Sequence, residues 1–344
     1  MTKVLLTGSS GYIGKHITLR LLSDGYEVRA SVRNSGKAQE VRDAMAAHLP
    51  VGFDLSGKLS FIELDLESDA GWDEALADID VLIHSASPFP ISSPKDENEL
   101  IRPAVEGTLR ALKAAHKASV KRVILTSSVA AIYGNNLPAG KTAFDETMWS
   151  DINHPVGRVP YTKSKTLAEK AAWDYIAAEA PEIELTTVNP VLVAGAPLDK
   201  HFGSSVSVVE RIMNGKDPML PDLSFSVVDV KDVAAMHVKA ISIEASKGKR
   251  FIASAGSRTF VSMAKTLKAG FPGRKISTIQ APSFVIRFLA IFDSEIKAVL
   301  PTLGKHIDAS SAQAQKVLGI NFIPVETSLL ETAHYLVDNG VVKP

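Results

Sequence analysis

The sequence predicts an α/β fold, in which a doubly wound parallel sheet is followed by a smaller C-terminal lobe. Three observations predict it. An apolar strand at the N-terminus breaks on glycines and restarts as a helix, apolar runs alternate with helical patterns through the first half, and the alternation decays after Pro190. Continuous apolar strands separated by helices are typical of a parallel sheet covered on both faces. Such sheets bind ligands beyond the carboxyl ends of their strands.

Apolar runs and helical periodicity define the elements of the first half. The predicted strands are Val4–Thr7, Glu27–Val32, Leu59–Leu64, Val81–His84, Arg122–Ser127 and Leu185–Asn189. The predicted helices between them are Tyr12–Ser23, Lys37–His48, Trp72–Ala77, Asn98–Lys117 and Tyr161–Ala178. After Pro190 the pattern predicts helices at Asp229–Ile243, Met263–Ala269, Phe284–Phe292 and Ala309–Leu318, and a short strand at Arg250–Ala253.

Composition excludes several classes of function. The 344 residues carry 38 basic and 38 acidic side chains, so no basic field for nucleic acid or an anionic membrane is expected. The chain has no cysteine, which excludes disulfides, thiolate nucleophiles and thiolate metal sites and is typical of a reducing compartment. No apolar run approaches the ~18 residues of a membrane span. We therefore expect a cytoplasmic protein with no metal centre.

The glycine-rich segment after the first strand predicts a phosphate site. Gly8, Gly11 and Gly14 have the spacing G-x-x-G-x-x-G and lead directly into a helix. Glycines allow the backbone to approach a pyrophosphate, and the N-terminus of the next helix stabilises its negative charge. A plain strand–helix turn is the alternative interpretation.

Tyr161 and Lys165 lie one helical turn apart and therefore project from the same face. A nearby ammonium favours the phenolate and would bring the tyrosine pKa closer to neutral pH, as acid–base catalysis requires. The alternative is an ordinary exposed pair on a helix.

Ser127 and Ser128 follow an apolar strand, at the sheet edge where ligands bind, and a serine there can donate a hydrogen bond to a substrate carbonyl. Strand-end serines also serve as simple turn residues.

Together these segments resemble the extended short-chain dehydrogenase/reductases, and within them the dihydroflavonol 4-reductase-like group that includes the fungal methylglyoxal and isovaleraldehyde reductases. The resemblance rests on Thr7–Gly14, Asp65-Leu66, His84–Pro88, Thr126–Ser128, Tyr161-x-x-x-Lys165, Ala168–Trp173, Val188–Val191 and Asp229–Ala234. It implies a Rossmann-type NADP-binding domain at residues 1–190, with returning segments near 225–245. Residues 191–344 would mainly form the substrate-binding lobe.

The resemblance also implies residue roles. Tyr161 would donate the proton during reduction, Lys165 would lower its pKa and bind the nicotinamide ribose, and Ser128, or its neighbour Ser127, would polarise the carbonyl. The implied cofactor contacts are Gly8, Ser9, Ser10, Gly11, Tyr12, Ile13, Asp65, Leu66, Ser85, Ala86, Pro190, Val193 and, near a phosphate, Ser205. Asp65 could instead be an ordinary strand-end carboxylate.

Two positions qualify the resemblance. Many members have asparagine, which sometimes serves a proton relay, where this chain has Glu106, and a carboxylate does not reproduce the hydrogen bonding of an amide. His84 is interpreted as a packed strand-end residue and not as a base.

The second strand ends in Arg33, with Lys37 nearby, where NAD-specific sites usually present a carboxylate. A guanidinium can bind a 2′-phosphate through two parallel hydrogen bonds, so we predict a preference for NADPH. In the resembling reductases the residues at these two positions serve this purpose. A solvated basic turn is the alternative.

The expected function is an NADPH-dependent aldehyde or ketone reductase. A nucleotide-sugar epimerase of the same superfamily is an alternative, and a non-catalytic NADP-binding regulator is a further one. A dehydratase is disfavoured, because Val129 and Ala130 replace the acidic pair that follows the strand-end hydroxyl in those enzymes. Phe89, Pro90, Ile91 and Tyr133 suggest a pocket for medium-sized, hydrophobic carbonyl compounds, and the protein would act as a monomer or homodimer.

Overall fold

The computed structural model describes residues 1–87, 96–292, 300–306 and 308–343. Its main sheet is parallel, with strand order β3-β2-β1-β4-β5-β6-β9. These strands are β1 (Lys3–Thr7), β2 (Glu27–Val32), β3 (Leu59–Glu63), β4 (Val81–His84), β5 (Arg122–Thr126), β6 (Glu184–Pro190) and β9 (Lys249–Ala253). The predicted α/β class and doubly wound sheet are confirmed.

Helices cover both faces of the main sheet. The helices of the first half are α1 (Tyr12–Ser23), α2 (Ser35–His48), α3 (Trp72–Leu76), α4 (Asn98–Lys117), α5 (Ala130–Tyr133) and α6 (Pro160–Glu179). Leu5 and Leu82 point to the face that packs against α3, α4 and α6, whereas Val4 and Leu6 point to the face covered by α1, α2 and α8 (Val230–Ser242). Successive strand residues point to opposite faces, which explains why strands buried on both sides are continuously apolar.

A smaller sheet, ordered β10-β8-β7, stands beside the main one. Its strands are β7 (Leu192–Ala194), β8 (Ser224–Asp229) and β10 (Gly256–Thr259). The helices around it are α7 (Ser204–Asn214), α9 (Phe260–Gly270), α10 (Ser283–Leu289) and α12 (Val325–Asp338), whereas α11 (Ala312–Leu318) packs against strand β9 of the main sheet and helix α8. In the part of the chain that the structure describes, no helix has the length and apolarity that crossing a membrane requires.

Most predicted boundaries agree within a few residues, and capping side chains explain two of the shifts. The Asn34 side chain accepts a hydrogen bond from the Lys37 backbone nitrogen, so α2 begins at Ser35 and not at Lys37. Asp229 was predicted inside a helix but caps it, accepting from the Lys231 nitrogen. Asparagine and aspartate satisfy the free N–H groups at helix starts in this way. The short strands of the smaller sheet, α7 and α12 were not predicted.

The topological switch of the main sheet lies between β1 and β4, because the chain moves outward from β1 in one direction and from β4 in the other. The segments that follow these two strands therefore diverge at their carboxyl ends and leave a crevice between them. Gly8 and Ser85 are the first positions after those strands, which places the predicted phosphate segment at the crevice.

Candidate active site

The glycine segment forms a tight cradle at the crevice. Gly8 has φ +72°, in the region that favours glycine, and its carbonyl accepts a hydrogen bond from the Gly11 nitrogen at 3.0 Å. A Cβ on Gly8 would lie 2.7 Å from the Ala86 backbone nitrogen, and one on Gly14 would overlap the Gly8 carbonyl oxygen. Glycine at positions 8 and 14 is thus required by the close backbone packing at the start of α1.

A polar groove of about 500 Å³ opens from this cradle. Its lining includes many of the predicted cofactor residues: Gly8, Ser10, Gly11, Arg33, Lys37, Asp65, Leu66, Ser85 and Ala86, together with Ser87. Other predicted residues face the interior. Ser9 Oγ donates to the Ser31 carbonyl, the Tyr12 hydroxyl donates to the Gly195 carbonyl, and Ile13 packs against the core.

The basic end of the polar groove lies at the start of α2. Arg33 is exposed there, while Lys37 Nζ donates to both carboxylate oxygens of Glu40, at 2.9 and 2.8 Å. The helix N-terminus adds partial positive charge to the two side chains. A bound phosphate would have to compete with Glu40 for Lys37, whereas the Arg33 guanidinium extends at the rim. The cradle and this basic end fit a dinucleotide with an additional phosphate on its ribose.

Tyr161 and Ser128 meet beyond the other end of the polar groove. Tyr161 is in the first turn of α6, and its hydroxyl donates a long hydrogen bond of 3.4 Å to Ser128 Oγ. Lys165 Nζ lies 5.8 Å from the centroid of the Tyr161 ring and donates to Ser87 Oγ at 2.8 Å. Because Ser87 lines the polar groove, the Lys165 ammonium lies between that groove and the ring of Tyr161.

The two candidate serines have different surroundings. Ser127 Oγ donates to Glu169 Oε2 at 2.5 Å on the buried side of β5. Ser128 faces Tyr161 and lines the cavity in front of it. Of the two alternatives left by the sequence, the geometry therefore favours Ser128 as the donor to a substrate.

Burial dominates the acid–base properties of the pair. It raises the pKa of Tyr161 to about 12, with the Ser128 hydrogen bond acting in the opposite direction. Burial also lowers the pKa of Lys165 to about 8, opposed by the charge of Glu169. The direction found for Tyr161 is opposite to the predicted lowering, because desolvation of the phenolate outweighs its stabilising contacts. The phenol is consequently protonated near neutral pH, which is the form that a proton donor needs.

A cavity of about 410 Å³ lies in front of Tyr161 and Ser128, and we call it the tyrosine cavity. Its apolar lining includes Val129, Tyr133, Val156, Val191, Leu223, Phe225 and Pro301. Pro190 and Ser205 also line it, and Gly203, two residues before Ser205, lies close to Tyr12 at the start of α1. Val193 is buried in β7, with 4% of its surface exposed.

The remaining positions behave as follows. His84 is buried, its Nδ1 shares a hydrogen bond with Thr7 Oγ1, and burial lowers its pKa to about 3, which agrees with its interpretation as a packed strand-end residue. Glu106 lies half-exposed on α4, 4.0 Å from Arg102. Tyr133 lines the tyrosine cavity as expected, whereas Phe89, Pro90 and Ile91 lie outside the described residues.

Sequence reasoning missed the buried support beneath the serines. Glu169, fully buried on α6, accepts hydrogen bonds from Ser127, from Asn189 Nδ2 at 2.7 Å and from Arg250 Nε at 2.7 Å. Asn189 also donates to the Ser128 backbone carbonyl. A signal was present, because Glu169 falls one helical turn after Lys165, and a glutamate on the inner face of a helix requires partners.

A second buried ion pair connects the glycine cradle to the smaller lobe. Lys15 on α1 is 1% exposed and pairs with Asp199. The second carboxylate oxygen of Asp199 accepts a hydrogen bond from the backbone nitrogen of His201. Glu40, Asp199 and His201 place potential metal-ligand atoms within 4.8 Å of one another. The ammonium groups of Lys15 and Lys37 are bound to the two carboxylates, so the charge of this cluster is already compensated.

Comparison with known proteins identifies the family. The model of the NAD dependent epimerase/dehydratase family matches residues 4–253, from the first strand to the last strand of the main sheet. The chain belongs to this family. Within it, the relatives assign the chain to the dihydroflavonol 4-reductase-like group of the extended short-chain dehydrogenase/reductases, which confirms the resemblance seen in the sequence.

Curated relatives match most of the chain. An anthocyanidin reductase of Vitis vinifera is 33% identical over 286 residues, covering 79% of this chain and 82% of the relative. A cinnamoyl-CoA reductase of Medicago truncatula is 30% identical over 336 residues, covering 97% and 95%. Among solved structures, yeast methylglyoxal/isovaleraldehyde reductase Gre2, complexed with NADPH, has a TM-score of 0.81 at 28% identity and covers 99% of this chain and 100% of that one.

Proposed function

We propose that this protein reduces the carbonyl group of aldehydes or ketones, with Tyr161 as the proton donor. It is an NADP-dependent oxidoreductase, as its relatives are, and NADP(H) is its cofactor. The proposal rests on one observation above all, the contact of a protonated Tyr161 hydroxyl with Ser128 at the end of a groove whose opposite end is basic.

The residues of the polar groove would hold the cofactor. The backbone of Gly8–Gly11 would cradle the pyrophosphate, Asp65 and Leu66 would border the adenine, and Arg33 with Lys37 would bind the 2′-phosphate. Pro190 would lie against the nicotinamide, and Lys165 would reach its ribose. When bound, NADPH supplies the hydride, and the protein supplies orientation and electrostatics.

Within the tyrosine cavity the side chains have distinct tasks. Ser128 donates a hydrogen bond to the substrate oxygen and stabilises the negative charge that develops there. Tyr161 transfers its proton to the same oxygen, and Lys165 stabilises the resulting phenolate. The apolar lining excludes water, which strengthens these interactions. Glu169 acts through other residues and is therefore a positioning residue.

The central test replaces Tyr161 with phenylalanine. Removal of the general acid should lower kcat for reduction of a carbonyl panel by about 10²–10⁴-fold, while NADPH affinity stays close to that of the wild type. Tyr133→Phe is a matched control, because Tyr133 lines the same cavity and is half-buried like Tyr161, and it should retain most turnover. Undiminished reduction by the Tyr161 variant would contradict the assignment.

The preference for NADPH is tested separately. Arg33→Ala should lower the ratio of kcat/KM with NADPH to that with NADH, because the guanidinium would pair with the 2′-phosphate, which NADH lacks. Arg42→Ala, on the same helix as Lys37, is a suitable control for loss of one positive charge, since Arg42 lies over the Phe61 ring. An unchanged cofactor ratio in the Arg33 variant would refute this role.

A nucleotide-sugar epimerase remains the second candidate, since the same family includes such enzymes and the Ser128, Tyr161 and Lys165 set would suffice for it. The apolar lining of the tyrosine cavity favours a carbonyl compound over a sugar, which needs many polar partners. Incubation with UDP- and dTDP-sugars, followed by product chromatography, distinguishes the two. Epimerised sugar without turnover of any aldehyde or ketone would replace the reductase proposal.

A further inference from the structure

A second apolar cavity, of about 430 Å³, lies beside the tyrosine cavity. We call it the outer cavity. It lies between α7, the loop before β8 and helix α10, and its lining includes Met219, Leu223, Phe225, Phe260, Ala281, Val285, Ile286 and Leu289. Its only charged lining groups among the described residues are Arg211 and Asp217, which pair with each other at 2.7 Å. The rest of the wall offers almost only apolar contact.

The two cavities are adjacent. Ser204, Val208, Leu223 and Phe225 line both of them. Val208 and Phe225 are half-buried, and Phe225 rests edge-on against Phe260 at a ring-centroid distance of 6.0 Å. The side chains of α7 and β8 thus form the partition, and a ligand that extends from Tyr161 past this partition enters the outer cavity.

We infer that the outer cavity is an extension of the substrate site and binds the apolar substituent of the carbonyl compound. This inference rests on the proposed reductase function and adds the class of substrate, namely carbonyl compounds with an extended apolar group. Either cavity alone is near the lower limit of small-molecule sites, about 300–1,000 Å³. Occupation of both would place the carbonyl at Tyr161 and the remote end of the molecule against α10.

The burial pattern of α10 supports this role. Ile286 is buried and anchors the helix against Leu223 and Ala281, whereas Val285 and Leu289 face the outer cavity and are only partly covered. A ligand in the outer cavity would cover apolar surface on these two residues. Each methylene transferred from water to such a surface increases affinity about threefold to fourfold.

The test uses straight-chain methyl ketones from about four to about twelve carbons, with Val285→Trp to fill the outer cavity. Phe284→Trp is the matched control, because Phe284 is the neighbouring residue, is 73% exposed and does not belong to the cavity lining given above. Reduction is followed with NADPH. Binding of the same ketones is measured calorimetrically with the enzyme saturated by NADP⁺, a pair that cannot react.

In the wild type and the control, kcat/KM and affinity should rise about threefold to fourfold per methylene until the chain fills both cavities. Val285→Trp should leave the short ketones unchanged and stop the increase at an intermediate length. Equal chain-length profiles in the two variants, with short ketones still reduced, would overturn the inference and leave the reductase function intact. Conversely, length-dependent binding that is lost in Val285→Trp, without turnover of any ketone or of any aldehyde in the carbonyl panel, would support the cavity and refute the reductase function.

Discussion

Neutralising Glu169 should weaken the buried hydrogen-bond network that supports Ser127 and Ser128. In Glu169→Gln the side chain keeps its shape and loses its charge. In the wild type, one carboxylate oxygen accepts hydrogen bonds from Asn189 and Ser127, and the other accepts from Arg250 and Thr187. In the variant, one of these two oxygens is replaced by an NH2 group, which cannot accept a hydrogen bond. At least one buried donor is left without an acceptor, and the Arg250 guanidinium, 9% exposed, loses its counter-charge.

The magnitude follows from this environment. Removing one partner of a buried ion pair costs about 3–5 kcal/mol. Proteins gain about 2.1 cal/mol/K of entropy per residue on unfolding, or about 0.7 kcal/mol/K for this chain of 344 residues. A cost of about 4 kcal/mol therefore lowers Tm by about 5 °C. We expect kcat to fall as well, because Asn189 holds the Ser128 carbonyl and the Ser127 contact fixes the adjoining residue.

The assay is calorimetric unfolding at neutral pH, together with reduction kinetics. Glu179→Gln, an exposed glutamate at the end of the same helix, is the control and should change stability by less than about 0.5 kcal/mol. A double-mutant cycle with Arg250→Met adds a test. The loss of unfolding free energy in the double variant should be smaller than the sum of the losses in the two single variants. A Tm within about 1 °C of the wild type for Glu169→Gln, or strict additivity, would refute the reasoning.

Three further predictions concern pH and the glycine cradle. Burial lowers the Lys165 pKa to about 8, so the ammonium loses its proton above that pH. The kcat/KM for reduction should therefore be constant below pH 7 and fall, approaching tenfold per pH unit, above pH 8. A flat profile up to pH 10 would contradict this. Burial lowers the His237 pKa from 6.5 to about 4, so the unfolded chain binds more protons in that range and stability is lost as pH falls through it. His237→Gln should abolish up to about 3 kcal/mol of this acid sensitivity in denaturant titrations at pH 7 and pH 4, and an unchanged pH dependence would exclude the histidine as its source. Gly14→Ala should impair NADPH binding by fluorescence, because its Cβ would overlap the Gly8 carbonyl, whereas Gly273→Ala, with open space around it, should bind normally.

Local sequence was sufficient for much of the main domain. The bounds predicted for α1, α4, β2 and β4 are those of the structure, because the two helices carry apolar residues at helical spacing and β4 is a continuous, buried apolar run. The smaller lobe was harder. Its strands β7 and β10 have only 3 and 4 residues, too few to show a period, and they pair with β8 from different parts of the chain.

The candidate site divides in a similar way. The glycine spacing, the strand-end serines and the Tyr161–Lys165 turn are local patterns, so the residues could be selected from sequence. The network around Glu169 was not predicted, because its partners Asn189 and Arg250 are brought to it by other strands. The rise in the Tyr161 pKa was also missed, since it depends on how completely neighbouring elements exclude water from the phenol.

The sequence by itself therefore determined the α/β class, the position of the glycine cradle and the residue types that the candidate site contains, because these depend on periodicity and on spacing along one element. Only the tertiary structure decided that Ser128 and not Ser127 meets Tyr161, that Ser205 lines the tyrosine cavity, and that a second apolar cavity adjoins the first. These properties arise from contacts between residues far apart in the chain, where burial and desolvation set the energies.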